Sequence, residues 1–379
     1  MTFHSMPTLS SGSVDPLVSA TPLATRLPAG ESDLPACIEQ VARRLGAVHN
    51  PARESARFNL FADDSSVKAY LGTYLPRTVF EFMTIGQEML GHGAMRQTLA
   101  ANRPLRILDL GSGTGGAWMG LAVALFSNGF AQNLEIDAVD GNALALSKQE
   151  PFVYALAAEA GVDINLTAHQ RVLGPDVATF AADLQAVLAE LNRQYDFVLV
   201  SKHLSEFYCA AGDAAQGVVY ETLRLIESVL QPNGYLVMLD VTTPIHEVGA
   251  FFPNIMAHEL GVYLEHHQEG LRPVLPVPCA VSARGGCAGG AGHCYSQREL
   301  HFRHGIRRGG AVLTEKTKIA YRVLTHPAHA KRIVAGYAGD LPYHVNAHRS
   351  DQACQRGKIV FQPQGFDGYI PPVNRTATA

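Results

Sequence analysis

The chain has 379 residues, 47% of them hydrophobic and 17% charged, with a net charge of −4. That is long and apolar enough for one large globular core or two smaller ones, and it excludes a chain disordered throughout. The longest apolar run, AWMGLAVALF at 117–126, has the length of a buried helix segment rather than a membrane span, and no charged-then-apolar leader opens the sequence. Charge is unevenly spread. Residues 1–269 carry 15 Lys+Arg against 29 Asp+Glu, whereas residues 270–379 carry 15 against 5. Such a basic part fits an anionic partner, or plain attraction to the acidic part of the same chain.

Residues 1–33, rich in Ser, Thr and Pro without a period, are expected to form a flexible tail. A helical region is expected over 34–100. It starts with DLPACIEQVARRLG, where Asp33 is placed to cap the helix and Gly46 to end it, and continues through YLPRTVFEFMTIGQEMLGHG. Over 101–270 the texture changes to alternating strands and helices. LRILDL (105–110), LEIDAVD (134–140), DINLTAHQ (163–170), YDFVLV (195–200) and GYLVMLDVTTP (234–244) read as strands. Helical patterns such as DVATFAADLQAVLAELNRQ lie between them. This alternation predicts an α/β protein, with a mostly parallel, doubly wound sheet covered on both faces. Residues 271–379 are expected to hold a loop-rich, cysteine-rich insertion and closing strands, KIAYRVLTH (318–326) and GKIVFQPQ (357–364).

The turn LDLGSGTGG admits two readings. Gly111, Gly113 and Gly116 fit G-x-G-x-x-G, the dinucleotide fingerprint. Gly111, Gly113 and Gly115, preceded by Asp109, fit G-x-G-x-G, which resembles motif I of class I S-adenosylmethionine (SAM) methyltransferases. Charge separates them: a carboxylate two residues before the turn opposes a pyrophosphate and favours the ammonium and sulfonium of SAM. Asp140, ending the second strand, is placed to accept ribose hydroxyls, which both cofactors carry. SAM is therefore the expected cofactor, bound by Asp109, Gly111, Ser112, Gly113, Gly115 and Asp140 in a Rossmann-like core.

Six cysteines without a leader suggest a reducing compartment, where clustered thiols bind metal or do redox work. Cys279, Cys287 and Cys294 fall within sixteen residues of mostly glycine and alanine. A four-ligand site needs one more donor, and Cys354 offers sulfur while His293, His301 and His304 offer nitrogen. Four thiolates suit an iron–sulfur cluster or zinc; three with a histidine tilt toward zinc. Cys37 and Cys209 read as buried small apolar residues.

Four stretches in order, YLPRTVFEFMTIGQEML, RILDLGSGTGGAWMG, DFVLVSKHLSEF, and the PC…C…HCYSQRE block followed by EKTKIAYRVL, resemble a family of methyltransferase-like proteins. That family is tied to assembly of the small ribosomal subunit in mitochondria and has bacterial members. The resemblance extends from about residue 70 to 360. It implies a 4Fe–4S cluster on Cys279, Cys287, Cys294 and Cys354, zinc being the alternative. This chain departs from the family at Ala280–Ala283, where a Pro-His-Asp-like run is usual, and at Cys287–Ala288, where Cys-Pro is usual.

Methyl transfer needs positioning, plus a base if the acceptor carries a proton. After the fourth strand, His203 is the candidate base and Glu206 its orienting acid. Two functions follow. One is a SAM- and cluster-binding assembly factor that touches ribosomal RNA through Arg298, Arg303, Arg307, Arg308, Lys316, Lys318 and Arg322. The other is a methyltransferase of a small molecule, with the cluster as a staple. A membrane partner is not expected. A bacterial cytoplasm is expected ahead of a mitochondrial matrix, because residues 1–33 hold one arginine, Arg26, and three acids.

Overall fold

The computed structural model describes residues 32–50, 62–99, 103–130, 132–276, 298–306, 312–340, 344–345 and 359–360. Its centre is a sheet of nine strands among these residues. In chain order the longer ones are β1 (Leu105–Leu110), β2 (Leu134–Asp140), β3 (Ile164–Gln170), β4 (Tyr195–Ser201), β5 (Leu230–Asp240), β6 (Arg272–Leu275), β7 (Arg298–His304) and β8 (Leu313–Thr325). Neighbours run β3–β2–β1–β4–β5–β8, with β1 to β5 mutually parallel and β8 antiparallel to β5. The order reverses at β1, which creates a crevice outside the carboxyl ends of β1 and β4. This is the expected Rossmann-like doubly wound arrangement.

The longer helices are α1 (Ala36–Arg44), α2 (Asp64–Gly91), α3 (Gly116–Ser127), α4 (Glu150–Ala160), α5 (Val177–Leu191), α6 (Leu204–Ala211), α7 (Val218–Ile226), α8 (Phe252–His266) and α9 (Pro327–Asp340). They cover both sheet faces, so β1 and β4 are buried at almost every position instead of alternating. Two clusters result. One packs α2 and α3 against one face around Trp118, and the other packs α5, α7 and α8 against the opposite face. No helix among the described residues is long and apolar enough to cross a membrane.

Two local expectations change. Asp33 does not cap α1; Pro35 holds the cap position, and the Asp33 carboxylate is taken instead by the Arg303 guanidinium at 2.8 and 2.9 Å. The last sheet strand begins at Leu313 rather than 318, because β7, which local pattern did not announce, pairs with its first half. Of GKIVFQPQ, only Ile359–Val360 lies among the described residues, as a strand paired with His344–Val345.

β6 and β7 share one lane. Both run antiparallel to β8, β6 opposite Val323–Thr325 and β7 opposite Leu313–Ile319. The cysteine-bearing stretch thus connects two strands that both pair with β8, following Leu275 and preceding Arg298, and Ser32–Asp33 pairs in parallel on β7. Cys279, Cys287, Cys294 and Cys354 themselves lie outside the described residues, as does His293.

β8 runs past the carboxyl end of β5, where Ala320 pairs with Asp240, and its first half, paired with β7, lies along α2. Glu315, Thr317 and Tyr321 on one face of β8 meet Arg77, Glu81 and Glu88 on α2. The match is geometric: two strand residues advance about 6.7 Å and four helix residues about 6 Å. One helix face therefore ties the β7–β8 ribbon to the crevice.

Candidate functional site

The turn after β1 is built from backbone conformations that side chains disfavour. Gly111, Gly113 and Gly115 have φ of 67°, 51° and 86°, all in the left-handed region that glycine enters without steric cost. The amides of Gly111 and Ser112 donate to Val139 O, which pins the turn beneath β2. Gly115 holds the cap position of α3 without a side-chain cap bond, and Gly116 and Ala117 at the start of the helix line the crevice.

The expected cofactor residues meet here. Asp140 accepts from Gly113 N at 2.8 Å and from Asn142 N at 2.7 Å. Asp109 is fully buried and accepts from Ser112 Oγ at 2.9 Å, while its other oxygen, Oδ1, is buried with no hydrogen-bond partner. Sequence reading missed Gln149. Wholly buried, it accepts from Trp118 Nε1 at 2.8 Å and donates to Ser112 Oγ at 3.0 Å and Gly113 O at 2.8 Å. It thereby locks the turn to α3. A lone Gln at a helix N-cap carries no local signal of such a role.

Above the turn is a cavity of about 370 Å³, in the size range of small-molecule sites. Tyr70, Leu75 and Thr78 of α2 form one wall, residues 171–175 after β3 another, and Ser201–His203 with Glu206 and Phe207 the third. His203 lies against the turn: a methyl group on Gly111 would fall 2.3 Å from its Cγ. Burial lowers the His203 imidazole to about 4, so it is neutral at physiological pH. Burial, with repulsion from Asp140 and Asp240, raises Glu206 well above the usual carboxylate range. His203 and Glu206 share the wall, but among the described residues no side-chain hydrogen bond joins them. Glu206 thus faces the cavity itself and does not hold the imidazole.

Two further acids stand behind the wall. Asp240 accepts from Ser205 N at 3.1 Å and Val241 N at 2.7 Å, and burial lifts it to about 6 despite those bonds. Burial lifts Asp109 to about 7 and also raises Asp140. The lining holds two Lys or Arg side chains, and both are engaged elsewhere. Lys202, at φ 50°, pairs with the wholly buried Glu81 at 2.6 Å, and Arg171 pairs with Glu190. The cavity is therefore rich in carboxyls that lack a compensating cation.

No family model matches the chain and no curated protein matches it. Solved structures do. A precorrin-6y C5,15-methyltransferase from Geobacter metallireducens GS-15 is similar at 13% identity over 65% of this chain and 88% of that one, with a TM-score of 0.34. A SAM-dependent methyltransferase from Agrobacterium tumefaciens is similar at 16% identity over 66% of this chain and 62% of that one, with a TM-score of 0.32. The plantazolicin methyltransferase in complex with SAH follows at 13% identity over 54% of this chain and 62% of that one, with a TM-score of 0.30. At such TM-scores they add nothing to what the strand order itself establishes.

The basic residues expected to face an RNA separate into groups. Arg322 is wholly buried and donates to Tyr321 O at 2.8 Å, so it is removed from that set. Arg303 is paired with Asp33. Lys316 and Lys318 stand on the exposed face of β8, because strand alternation sends Glu315 and Thr317 inward. Arg307 and Arg308 lie outside the described residues. Of the histidines considered as fourth ligands to the cysteines, His301 is exposed and His304 is buried against Glu315. Cys37 is buried as expected, and burial pushes its thiol up to about 12; Cys209 is half-buried.

Proposed function

We propose that the protein binds SAM in this cavity and acts as a class I methyltransferase. One observation carries the reading. Asp140 and Glu206 on the wall, with Asp109 and Asp240 behind it, form a cluster whose ionisation burial opposes. A ligand bearing an ammonium and a sulfonium relieves that cost, whereas a pyrophosphate adds to it. The residues present fit the cofactor: Asp140 and Glu206 bring carboxyls to the cavity lining, and the glycine turn leaves room for none but a bare backbone beside His203.

When bound, SAM supplies a methyl group activated by its positive sulfur. The chain's own residues do the rest. Asp140 has a second lone pair on each oxygen for ribose hydroxyls, the turn and the start of α3 offer amides, and Gln149 keeps both in place. His203, being neutral, can take the proton an acceptor releases, and Glu206, held as the acid, can donate a hydrogen bond to it.

The carboxyl cluster gives the test a sign. In the ligand-free protein, the raised Asp109 and Asp240 contribute stability that is present below the ordinary carboxylate range and lost as pH rises through about 6 to 7. Binding a cation reverses the preference and releases protons. Calorimetric titration with SAM should therefore show affinity rising about tenfold from roughly pH 5.5 to roughly 7.5, with proton release near pH 6 to 7. Absence of binding would remove the reading; binding that ignores pH would remove the carboxylates from it.

A finer reading places the protein in small-subunit assembly in a bacterial cytoplasm, with a 4Fe–4S cluster or zinc on Cys279, Cys287, Cys294 and Cys354. Lys316 and Lys318, side by side on the exposed face of a ribbon in the basic part of the chain, favour a ribosomal RNA contact. Gradient sedimentation of host lysate tests it. The protein should travel with small-subunit precursors at low salt and be stripped at high salt. Sedimentation as free protein in both would turn attention to a small-molecule acceptor.

A further inference from the structure

Away from the cavity, three side chains from three separate segments converge. His49 follows α1, His304 ends β7 and Glu315 lies on the inner face of β8. His49 Nε2, His304 Nε2 and Glu315 Oε1 all lie within 4.8 Å of one another. Each ring nitrogen is 2.8 Å from the same carboxylate oxygen. They do not use it alike: His304 makes a hydrogen bond to it, while His49 Nε2 is buried and has no hydrogen-bond partner. The two rings therefore approach one carboxylate oxygen with different geometry, and only the His304 contact is a hydrogen bond.

The surroundings are built. Val48 N donates to Lys68 O at 2.9 Å, and Asn50 exchanges hydrogen bonds with Thr73 at 2.8 and 3.1 Å, so His49 is fixed from both sides. The segment runs so close to α2 that a methyl group on Gly72 would sit 2.3 Å from the Val48 carbonyl carbon. His304 is fully buried and stacks on Phe302, which stacks on Phe80. Arg77 holds the second oxygen of Glu315, its Nε at 2.8 Å, and leaves Oε1 to the two rings.

We propose that His49, His304 and Glu315 form a binding site for a divalent cation of zinc-like chemistry. Two imidazoles and one carboxylate are a donor set that zinc takes with a fourth position left to water. Donors around tetrahedral zinc stand about 3.3 Å apart, so the two nitrogen–oxygen separations open slightly and the two rings draw together. Arg77 plays the part of the outer partner that orients a ligating carboxylate. Two contacts must give way. Metal on His304 Nε2 replaces the hydrogen bond from that nitrogen to Glu315 Oε1, and it places the proton on Nδ1, so the long bond from Ile306 N at 3.2 Å is lost. The bound cation joins the segment before α2 to the ribbon. It is chemically distinct from any thiolate site on Cys279, Cys287, Cys294 and Cys354.

Cobalt(II), added to the full chain after chelator treatment, is the probe. The wild-type protein should gain visible ligand-field absorption from one equivalent bound to nitrogen and oxygen. His49→Gln should weaken that component about 100-fold, and the wild-type minus His49→Gln difference should lack the near-ultraviolet charge transfer of a thiolate. His49 lies in a loop whose backbone is held by Val48, Asn50 and Thr73, so the variant should keep its far-ultraviolet circular dichroism; Glu315→Gln is the second variant. X-ray absorption of the wild-type adduct reads the ligand shell without any variant. A wild-type chain with no such absorption, absorption that survives both substitutions, or a sulfur-only shell would each overturn the site.

Discussion

Gly111→Ala should weaken SAM binding about 100-fold, an effect of roughly 2.7 kcal/mol. At φ 67° an L side chain is strained, by about 1–2 kcal/mol. The new methyl would also fall 2.3 Å from His203 Cγ and 2.6 Å from its Cβ and Nδ1. Neither strain is confined to the turn. His203 is packed edge-to-face on Phe207 at 5.0 Å, so relief comes by shifting the turn, and with it the Gly111 and Ser112 amides that bond to Val139 O. Isothermal titration with SAM and its demethylated product reads the loss, and thermal unfolding should drop by only a few degrees. Wild-type affinity in this variant would show that the glycine turn does not hold the nucleoside, and the proposed cofactor site would go with it.

Gly120→Ala should be among the most damaging single-methyl changes to stability, costing about 3 kcal/mol and lowering the midpoint of thermal unfolding by roughly 5 °C or more. Gly120 lies where α3 crosses α2. A methyl there would stand 2.3 Å from Val79 O, 2.8 Å from Phe82 Cβ and 2.9 Å from Met83 N. Two of these are backbone atoms of a helix buried along most of its length, so no rotamer change makes room. The helices must separate, and the core around Trp118 loosens with them. Gly261→Ala supplies the contrast. It lies inside α8 with nothing within 4 Å of the added carbon, so alanine should stabilise by about 0.5–1 kcal/mol. Differential scanning calorimetry of both variants checks the opposite signs. Equal effects would mean that helix propensity, not the close crossing, governs position 120.

Short-range pattern determined a good deal of this protein. Largely apolar segments of strand length at 105–110, 134–140 and 195–200, alternating with helical periods, imply a parallel sheet covered by helices on both faces. Gly111, Gly113 and Gly115 after Asp109 mark the crevice, since a turn that tight needs left-handed backbone wherever it occurs. Those signals are local, and the structure places strands and crevice accordingly. Other features hang on partners far away in sequence. Arg322 reads as one more basic residue in a basic region on the same face of β8 as Lys316 and Lys318, yet it is buried, because beside β5 and β6 the strand is covered on both faces. Asp33 has the chemistry of a helix cap, yet Arg303 takes its carboxylate. Gln149 looks unremarkable until Trp118 and the glycine turn close around it. The His49, His304 and Glu315 cluster has no spacing to recognise, because its members come from a loop and two strands that only β7–β8 pairing against α2 brings within bonding reach. Periodicity and turn chemistry act between neighbours in the chain; burial, pairing and the shift of a buried group's ionisation depend on which surfaces meet, and packing of the whole molecule decides that.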